Sequence, residues 1–287
     1  MLHHYWLVLY SRTLLQMQLN SEFIITKLAY QYLVLFILVI IYQITNLRLI
    51  QMTTKPTTKL YIEWLSQPSR AIVTFCLIEN IPHELVEVRI KKLEHRTPEY
   101  KKMFPTAKLP GMSETLENGE QFNLFESHAI MRYLAERYNK SNLYPRGNIQ
   151  LKAKVDSYLD WHHTNTRKCA PYLFDQYFAP VLGIKPQFDV NTLFKEVESV
   201  FRFIEKVWLD QGKNKYIANN QQLTIADLSC YSEIIQMKFD DYDFKNKTPI
   251  LYEWMQRIEA LPEIQKTHQV LFKFAPQIAK NKQKPKL

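Results

Sequence analysis

The sequence predicts an α/β domain followed by an all-helical domain, with a hydrophobic extension in front. Three observations carry this. Between residues 59 and 140, β-rich runs alternate with helical stripes. The polar stretch NKSNLYPRGN (Asn139–Asn148) then reads as a turn-rich connection, with the linker proper at 141–148. From 149 to 279 the apolar spacing is helical and no strand-like run competes. The basic tail KNKQKPKL occupies 280–287 and reads as a solvated end.

The elements follow in order. LYIEWL (Leu60–Leu65) is an apolar β-rich run. PSRAIVTFCLIEN (Pro68–Asn80) carries a helical stripe at Ile72, Val73, Cys76 and Leu77. ELVEVRI (Glu84–Ile90) alternates with period two and returns the chain to a sheet. A strand–helix–strand crossover implies that these two strands pair in parallel. TPEYKKM (Thr97–Met103) fits a short helix with Thr97 as cap and Pro98 at its first position. Two short strands around Ser113–Leu116 and Gln121–Phe125 flank an Asn118-Gly119 turn. ESHAIMRYLAERY (Glu126–Tyr138) closes the domain as a helix.

In the second half, 149–172 reads as one long helix and 190–209 as another. QLTIADLSCYSEIIQM (Gln222–Met237) opens on a capping signature, Thr224 with Asp227 three residues on. ILYEWMQRIEAL (Ile250–Leu261) and PEIQKTHQVLFKFA (Pro262–Ala275) complete the set.

Composition narrows the function. The 287 residues hold 46% hydrophobic and 23% charged residues, a globular balance. Only 5 glycines are present, so no Gly-rich phosphate loop is available. The net charge of +9 favours anionic ligands. Zinc-finger spacing and an Arg-rich helix are both lacking, so nucleic acid is not expected as a partner. Cys76, Cys169 and Cys230 are far apart and read as small buried residues of a reducing compartment. His162 and His163 are adjacent on a helix and point about 100° apart, so they do not form a metal pair, and no metal is expected.

Residues 1–58 form the extension. Within it, LAYQYLVLFILVIIYQITNL (residues 28–47) is uncharged and long enough, as a helix, for roughly 30 Å of hydrocarbon. Three readings compete: a transmembrane anchor, the core of a secretory signal, or a segment ahead of a true start at Met52. The signal reading is weakest, because about 27 residues precede the apolar core and no small-x-small cleavage site follows it. Basic residues flank the run on both sides and leave an anchor's orientation open.

From about Lys59 to Phe274 the chain resembles a cytosolic glutathione S-transferase of the theta class. LYIEWLSQPSRAI carries a Ser–Gln–Pro after the first strand, and FPTAKLPGM, ESHAIMRYLAERY and DSYLDWHHTNTR fit the same class. The resemblance implies a thioredoxin-like first domain that binds glutathione and an α-helical second domain. It does not account for residues 1–51. Between Pro110 and Glu126 the chain is several residues longer than the family pattern, and its carboxy-terminal end is short and basic.

Read alone, Ser66 in LSQPSR is a helix N-cap. The resemblance makes it the hydroxyl that donates to the glutathione sulfur and stabilises its thiolate; Ser69 is the rival hydroxyl. It implies a cis bond between Leu109 and Pro110, exposing the Leu109 backbone to the cysteinyl part of glutathione. It assigns Glu126 and Ser127 to the α-ammonium and α-carboxylate of the γ-glutamyl part. His95, Arg96 and Lys108 would face the glycyl carboxylate, and Arg167 would lie over the sulfur. By themselves these are capping residues, a turn proline and solvated charges. Tyr172, Phe174, Tyr177 and Phe178 are candidates for the electrophile pocket, with packing as the alternative.

The expected activity is therefore glutathione transfer. The thiolate would attack small electrophiles such as alkyl halides, sulfate esters or organic hydroperoxides, in a cytoplasmic homodimer serving detoxification. A non-catalytic interaction module of the elongation factor gamma type is the rival. Membrane contact is expected only through residues 28–47, and an anchored form would keep its catalytic part facing the cytosol.

Overall fold

A computed structural model describes residues 33–43, 58–116, 118–219 and 221–282. Two compact units divide the chain, residues 1–55 and 56–287. In the first, residues 33–43 form a helix with exposed side chains. Among the described residues no helix is long and apolar enough to cross a membrane. Met52, the rest of the 28–47 run and residues 283–287 of the tail lie outside the described residues.

The second unit opens with strand β1 (Thr58–Ile62), helix α1 (Gln67–Ile78) and strand β2 (Glu84–Glu87). Short helix α2 (Pro98–Met103), strands β3 (Gly111–Thr115) and β4 (Gln121–Phe125) and helix α3 (Ser127–Arg137) follow. The four strands form one sheet in the order β2-β1-β3-β4. β1 and β2 are parallel, Leu60 opposite Leu85, as a helical crossover requires. β3 is antiparallel to both β1 and β4. This is a thioredoxin-like α/β half. Thr97 caps α2, its side chain accepting from the Tyr100 N–H.

The helical half comprises α4 (Ile149–His162), α5 (Cys169–Leu173), α6 (Val190–Phe203), α7 (Ile225–Ile234), α8 (Phe244–Lys247), α9 (Pro249–Glu259), α10 (Pro262–Thr267) and α11 (Gln269–Lys282). The capping box forms as the sequence predicts: Thr224 Oγ1 accepts from Ala226 N–H, and Asp227 Oδ2 accepts from Thr224 N–H at 2.9 Å. Asp227 Oδ1 also accepts from Ile217 N–H and Trp254 Nε1–H. One apolar core runs through both halves, joining Leu60, Phe75 and Ile130 to Tyr158, Leu228 and Tyr231.

Two helices expected to be continuous are broken. The 149–172 helix stops at His162, turns through a 3₁₀ segment at Thr166–Lys168 and restarts as α5. The 262–275 helix breaks at His268. There the Thr267 hydroxyl donates to Glu263 C=O, and His268 Nδ1 lies 3.2 Å from Ile264 C=O. Side chains thereby compete with the backbone for the same carbonyls.

Candidate active site

Ser66 occupies the N-cap position of α1, in extended geometry, yet its side chain makes no capping bond. Its Oγ instead accepts from the Ser69 hydroxyl at 2.9 Å. Ser69, the third residue of α1 and still in its first turn, is fully buried. A serine hydroxyl that accepts keeps its own proton to donate elsewhere. The corner is held rigidly. Ser66 N–H bonds to Glu63 C=O at 3.0 Å, and the Glu63 carboxylate accepts from Leu65 N–H at 2.8 Å. The buried Arg70 guanidinium donates to the carbonyls of Trp64 and Leu65 and reaches Ser232 C=O on α7. Burial lowers the Arg70 pKa to about 10, so it remains charged at neutral pH.

Beside this corner lies a cleft of about 320 Å³ between the two halves. Lys108, Leu109, Pro110, Glu126, Ser127 and Arg167 all line it. The Leu109-Pro110 bond is cis. The segment is fixed from behind: Tyr100 Oη donates to Lys108 C=O at 2.8 Å, and Gly111 presses on the buried Phe104 ring. Glu126 precedes α3 with φ +71°, an uncommon backbone state for a residue with a side chain. Strain of this kind concentrates at functional sites. Ser66 is half-buried, and its neighbours Pro68 and Gln67 line this cleft and the next.

Arg167 is placed by the break after α4, not by a continuous helix. Its guanidinium donates to the Glu233 carboxylate at 2.7 Å and to Gln67 Oε1 at 3.3 Å. Gln236 donates to Glu233 at 2.7 Å and accepts from Gln67, closing a ring of four side chains. The ring ties the residue after Ser66 to the cation. Burial raises the Glu233 pKa, and Arg167 acts against that rise.

A second cleft of about 630 Å³ adjoins the first, sharing Lys108 and Arg167. Phe174, Phe178 and Phe188 supply its aromatic wall. Asp175, buried in the same wall, accepts from Gln187 and Phe188 N–H at 3.0 Å each and pins that loop. Tyr172 and Tyr177 do not line it. Tyr172 packs in the core against Phe194, and the Tyr177 hydroxyl bonds to Asp240.

His95 and Arg96 lie on a 3₁₀ turn, Arg96 exposed, and neither lines the cleft. Burial lowers the His95 pKa. His128, Ser229 and Glu233 also line the cleft and were not singled out from sequence. The available signals were an imidazole directly after Glu126-Ser127 and, in IADLSCYSEII, an acid that no cap explains. Among the described residues no group of His, Cys, Asp or Glu is arranged to hold a metal ion.

Comparison with known proteins identifies the family and the fold. Residues 57–136 match the family described as "Glutathione S-transferase, N-terminal domain", and residues 186–267 match "Glutathione S-transferase, C-terminal domain". Glutathione S-transferase T1 of Arabidopsis thaliana is 32% identical over 75% of this chain and 89% of its own length. Human glutathione S-transferase theta-1 is 32% identical over 75% of this chain and 89% of its own. A crystal structure of human glutathione transferase theta-2 in complex with glutathione superposes with TM-score 0.68 at 29% identity. It covers 78% of this chain and 91% of that one. A human theta-class enzyme bound to the glutathione conjugate of 1-menaphthyl sulfate gives the same values.

Proposed function

The chain belongs to the glutathione S-transferase family, theta-like, and from that premise we propose that its two clefts are the halves of one active site. The protein is a glutathione transferase. Glutathione occupies the smaller cleft, and the electrophile enters the larger one. The cis Leu109-Pro110 segment presents the Leu109 backbone to the cysteinyl unit. Glu126 and Ser127 receive the γ-glutamyl ammonium and carboxylate, the latter beside the free N–H groups that open α3. Lys108 takes the glycyl carboxylate; His95 and Arg96, which do not line the cleft, are left out of that role.

The thiol proton leaves to solvent, and Ser66 donates to the sulfur anion that remains. In a halide or sulfate ester the thiolate attacks the electrophilic carbon, and the leaving group departs with the bonding pair. In a hydroperoxide it attacks the peroxide oxygen, the alcohol leaves with one added proton, and a second glutathione converts the sulfenic acid to glutathione disulfide and water. Arg167 adds positive potential at the junction of the clefts. Its tie to Glu233 and Gln67 holds the guanidinium in place for that task. Alkyl halides, sulfate esters and organic hydroperoxides are the substrate classes we assign, in a detoxifying role. The enzyme is placed in the cytosol, where its three free, buried cysteines stay reduced. It acts as a homodimer, with the thioredoxin-like part (59–140) of one chain against the helical part (149–279) of its mate. Thr224 and Asp227 serve structure, and the reaction needs no metal.

The observation that carries this reading is Ser66: a serine at a helix start whose hydroxyl is not used as a cap and already accepts from Ser69. The test is retention on immobilised glutathione together with turnover of a panel of halides and sulfate esters. Retention without Ser66-dependent turnover would instead favour a non-catalytic binding module.

A further inference from the structure

The aromatic wall of the larger cleft is built by two limbs of one loop. The outgoing limb is the π-helical turn Phe174–Phe178, closed by Ala179 N–H bonding to Phe174 C=O at 2.8 Å. It brings Phe174 and Phe178 to the cleft. The chain then reverses. Leu182 N–H bonds to Phe178 C=O at 3.0 Å, Ile184 N–H bonds to Ala179 C=O at 2.9 Å, and Gly183 takes the φ of +67° that the reversal needs. The returning limb brings Gln187 and Phe188 to the same cleft.

The two limbs are held in different ways. Phe178 packs edge-on against the buried Phe239, with ring centres 6.4 Å apart. Phe188 leaves 54% of its surface exposed, so burial does little to fix its ring. Asp175 does that work from the outgoing limb. It is buried, and its Oδ2 accepts from both Gln187 N–H and Phe188 N–H at 3.0 Å. Among the described residues no other hydrogen bond joins the two limbs. The dependence is mutual. A carboxylate is costly to bury without donors, and the returning limb supplies them. In exchange the acid fixes the backbone that carries Phe188.

We propose that Asp175 is a specificity-determining positioning residue: by clipping the returning limb it holds Phe188 in the wall and tunes the site to electrophiles whose apolar body extends past the reacting carbon. Lys108 and Arg167 stand where the two clefts meet, so the reacting end belongs there. The rings of Phe174, Phe178 and Phe188 line only the larger cleft. A short alkyl group at the junction gains little from them, and a longer one buries its chain against them. The proposal rests on the reading of the larger cleft as the electrophile's.

The test compares kcat/KM for 1-iodohexane and iodoethane, which share a leaving group and meet the same sulfur, so their ratio cancels any effect on the thiolate. Asp175→Ala lowers the hexyl-to-ethyl ratio by about tenfold or more, the worth of a few apolar contacts, and moves the KM for glutathione by less than about twofold. Asp175→Asn, whose amide oxygen can accept both N–H bonds, keeps most of the ratio. Phe188→Ala lowers the ratio by a similar factor, and adding Asp175→Ala to it lowers the ratio no further, because the acid acts through the ring. An unchanged ratio in Asp175→Ala, or losses that multiply in the double variant, would overturn the proposal. Should Asp175→Ala fail to fold, the exposed Phe188 decides: an unchanged ratio in Phe188→Ala overturns it equally. A wild type that is not retained on immobilised glutathione and turns over neither iodide sinks the reading of the clefts, and the clip with it. Retention and turnover with an unmoved ratio sink the clip alone.

Discussion

Replacing Ser66 by alanine isolates one hydrogen bond to one atom. A bond to a charged group contributes about 1.5–3 kcal/mol, and one pKa unit corresponds to about 1.36 kcal/mol. Loss of the Ser66 donor should therefore raise the pKa of bound glutathione by about 1–2 units, back toward the free-thiol value of about 8.5. At pH 7 a thiol of pKa about 8.5 is roughly 3% ionised, against about 25–75% at a pKa of about 6.5–7.5. Turnover at pH 7 should fall about eight- to twenty-five-fold, and the rate should recover as pH rises. The relay behind Ser66 adds a second arm. Ser69 donates to Ser66 Oγ, which polarises the Ser66 O–H, and such cooperativity adds about 10–30% per bond. Ser69→Ala should then shift the thiol by only about 0.1–0.6 units. The assay is a pH titration of thiolate absorbance in the glutathione complex of wild type and each variant. An unchanged pKa in Ser66→Ala removes Ser66 from the mechanism. A Ser69→Ala shift as large as that of Ser66→Ala would mean that Ser69, and not Ser66, faces the sulfur.

Other perturbations test the supports of the site. In Gly111→Ala the new Cβ would meet Phe104 ring atoms at 2.6–2.8 Å. Overpacking there should cost about 1–3 kcal/mol and raise the KM for glutathione, because the residue directly follows Leu109-Pro110; denaturant melts and steady-state kinetics read both. Arg167→Ala strips the buried Glu233 of its cation partner. With the arginine about two-fifths exposed and Arg70 still nearby, the loss should be about 1–3 kcal/mol, with a drop in kcat that Arg167→Lys partly recovers. Asp227 sets a pH signature. Burial raises its pKa to about 6 against an unfolded value of about 3.9, although four donors pull it down. The folded chain thus holds the extra proton between about pH 4 and 6, and the stability contribution of this group falls as pH rises through that window. Asp227→Asn should flatten that slope in a Tm-versus-pH series. It should also lower Tm near neutrality, since an NH₂ then faces donors that an oxygen accepted.

The sheet and its crossover were legible because the β-rich run from Glu84 and the helical stripe of Pro68–Asn80 are local patterns, although the strand read as Glu84–Ile90 ends at Glu87 and Ile90 opens a 3₁₀ turn. The cap at Thr224 was equally local. The breaks after His162 and at His268 were not legible, because neither HTNTR nor KTHQV holds a glycine or proline. At His268 the break goes with Thr267 and His268 bonding back to the Glu263 and Ile264 carbonyls, a choice visible only once those side chains are placed. The cis Leu109-Pro110 bond was reached through resemblance alone, since composition does not distinguish it.

The site divides along a different line. Ser66, Glu126 and Ser127 are marked by the sequence only as helix starts, and their roles toward glutathione come from the resemblance. Glu233, Gln67 and Gln236 were missed because their ring spans 169 positions and has no local pattern. The first group carries a physical mark. Ser66 sits at a cap position without capping, and Glu126 adopts a positive φ. Each departs from what local stability alone would select, and each stands in or beside the same cleft. Such departures are the expected mark of atoms reserved for a second molecule. A capping bond would leave Ser66 Oγ held by its own helix. In its bond to Ser69 the Ser66 oxygen is the acceptor, so its own proton stays available for the sulfur that the proposed mechanism gives it.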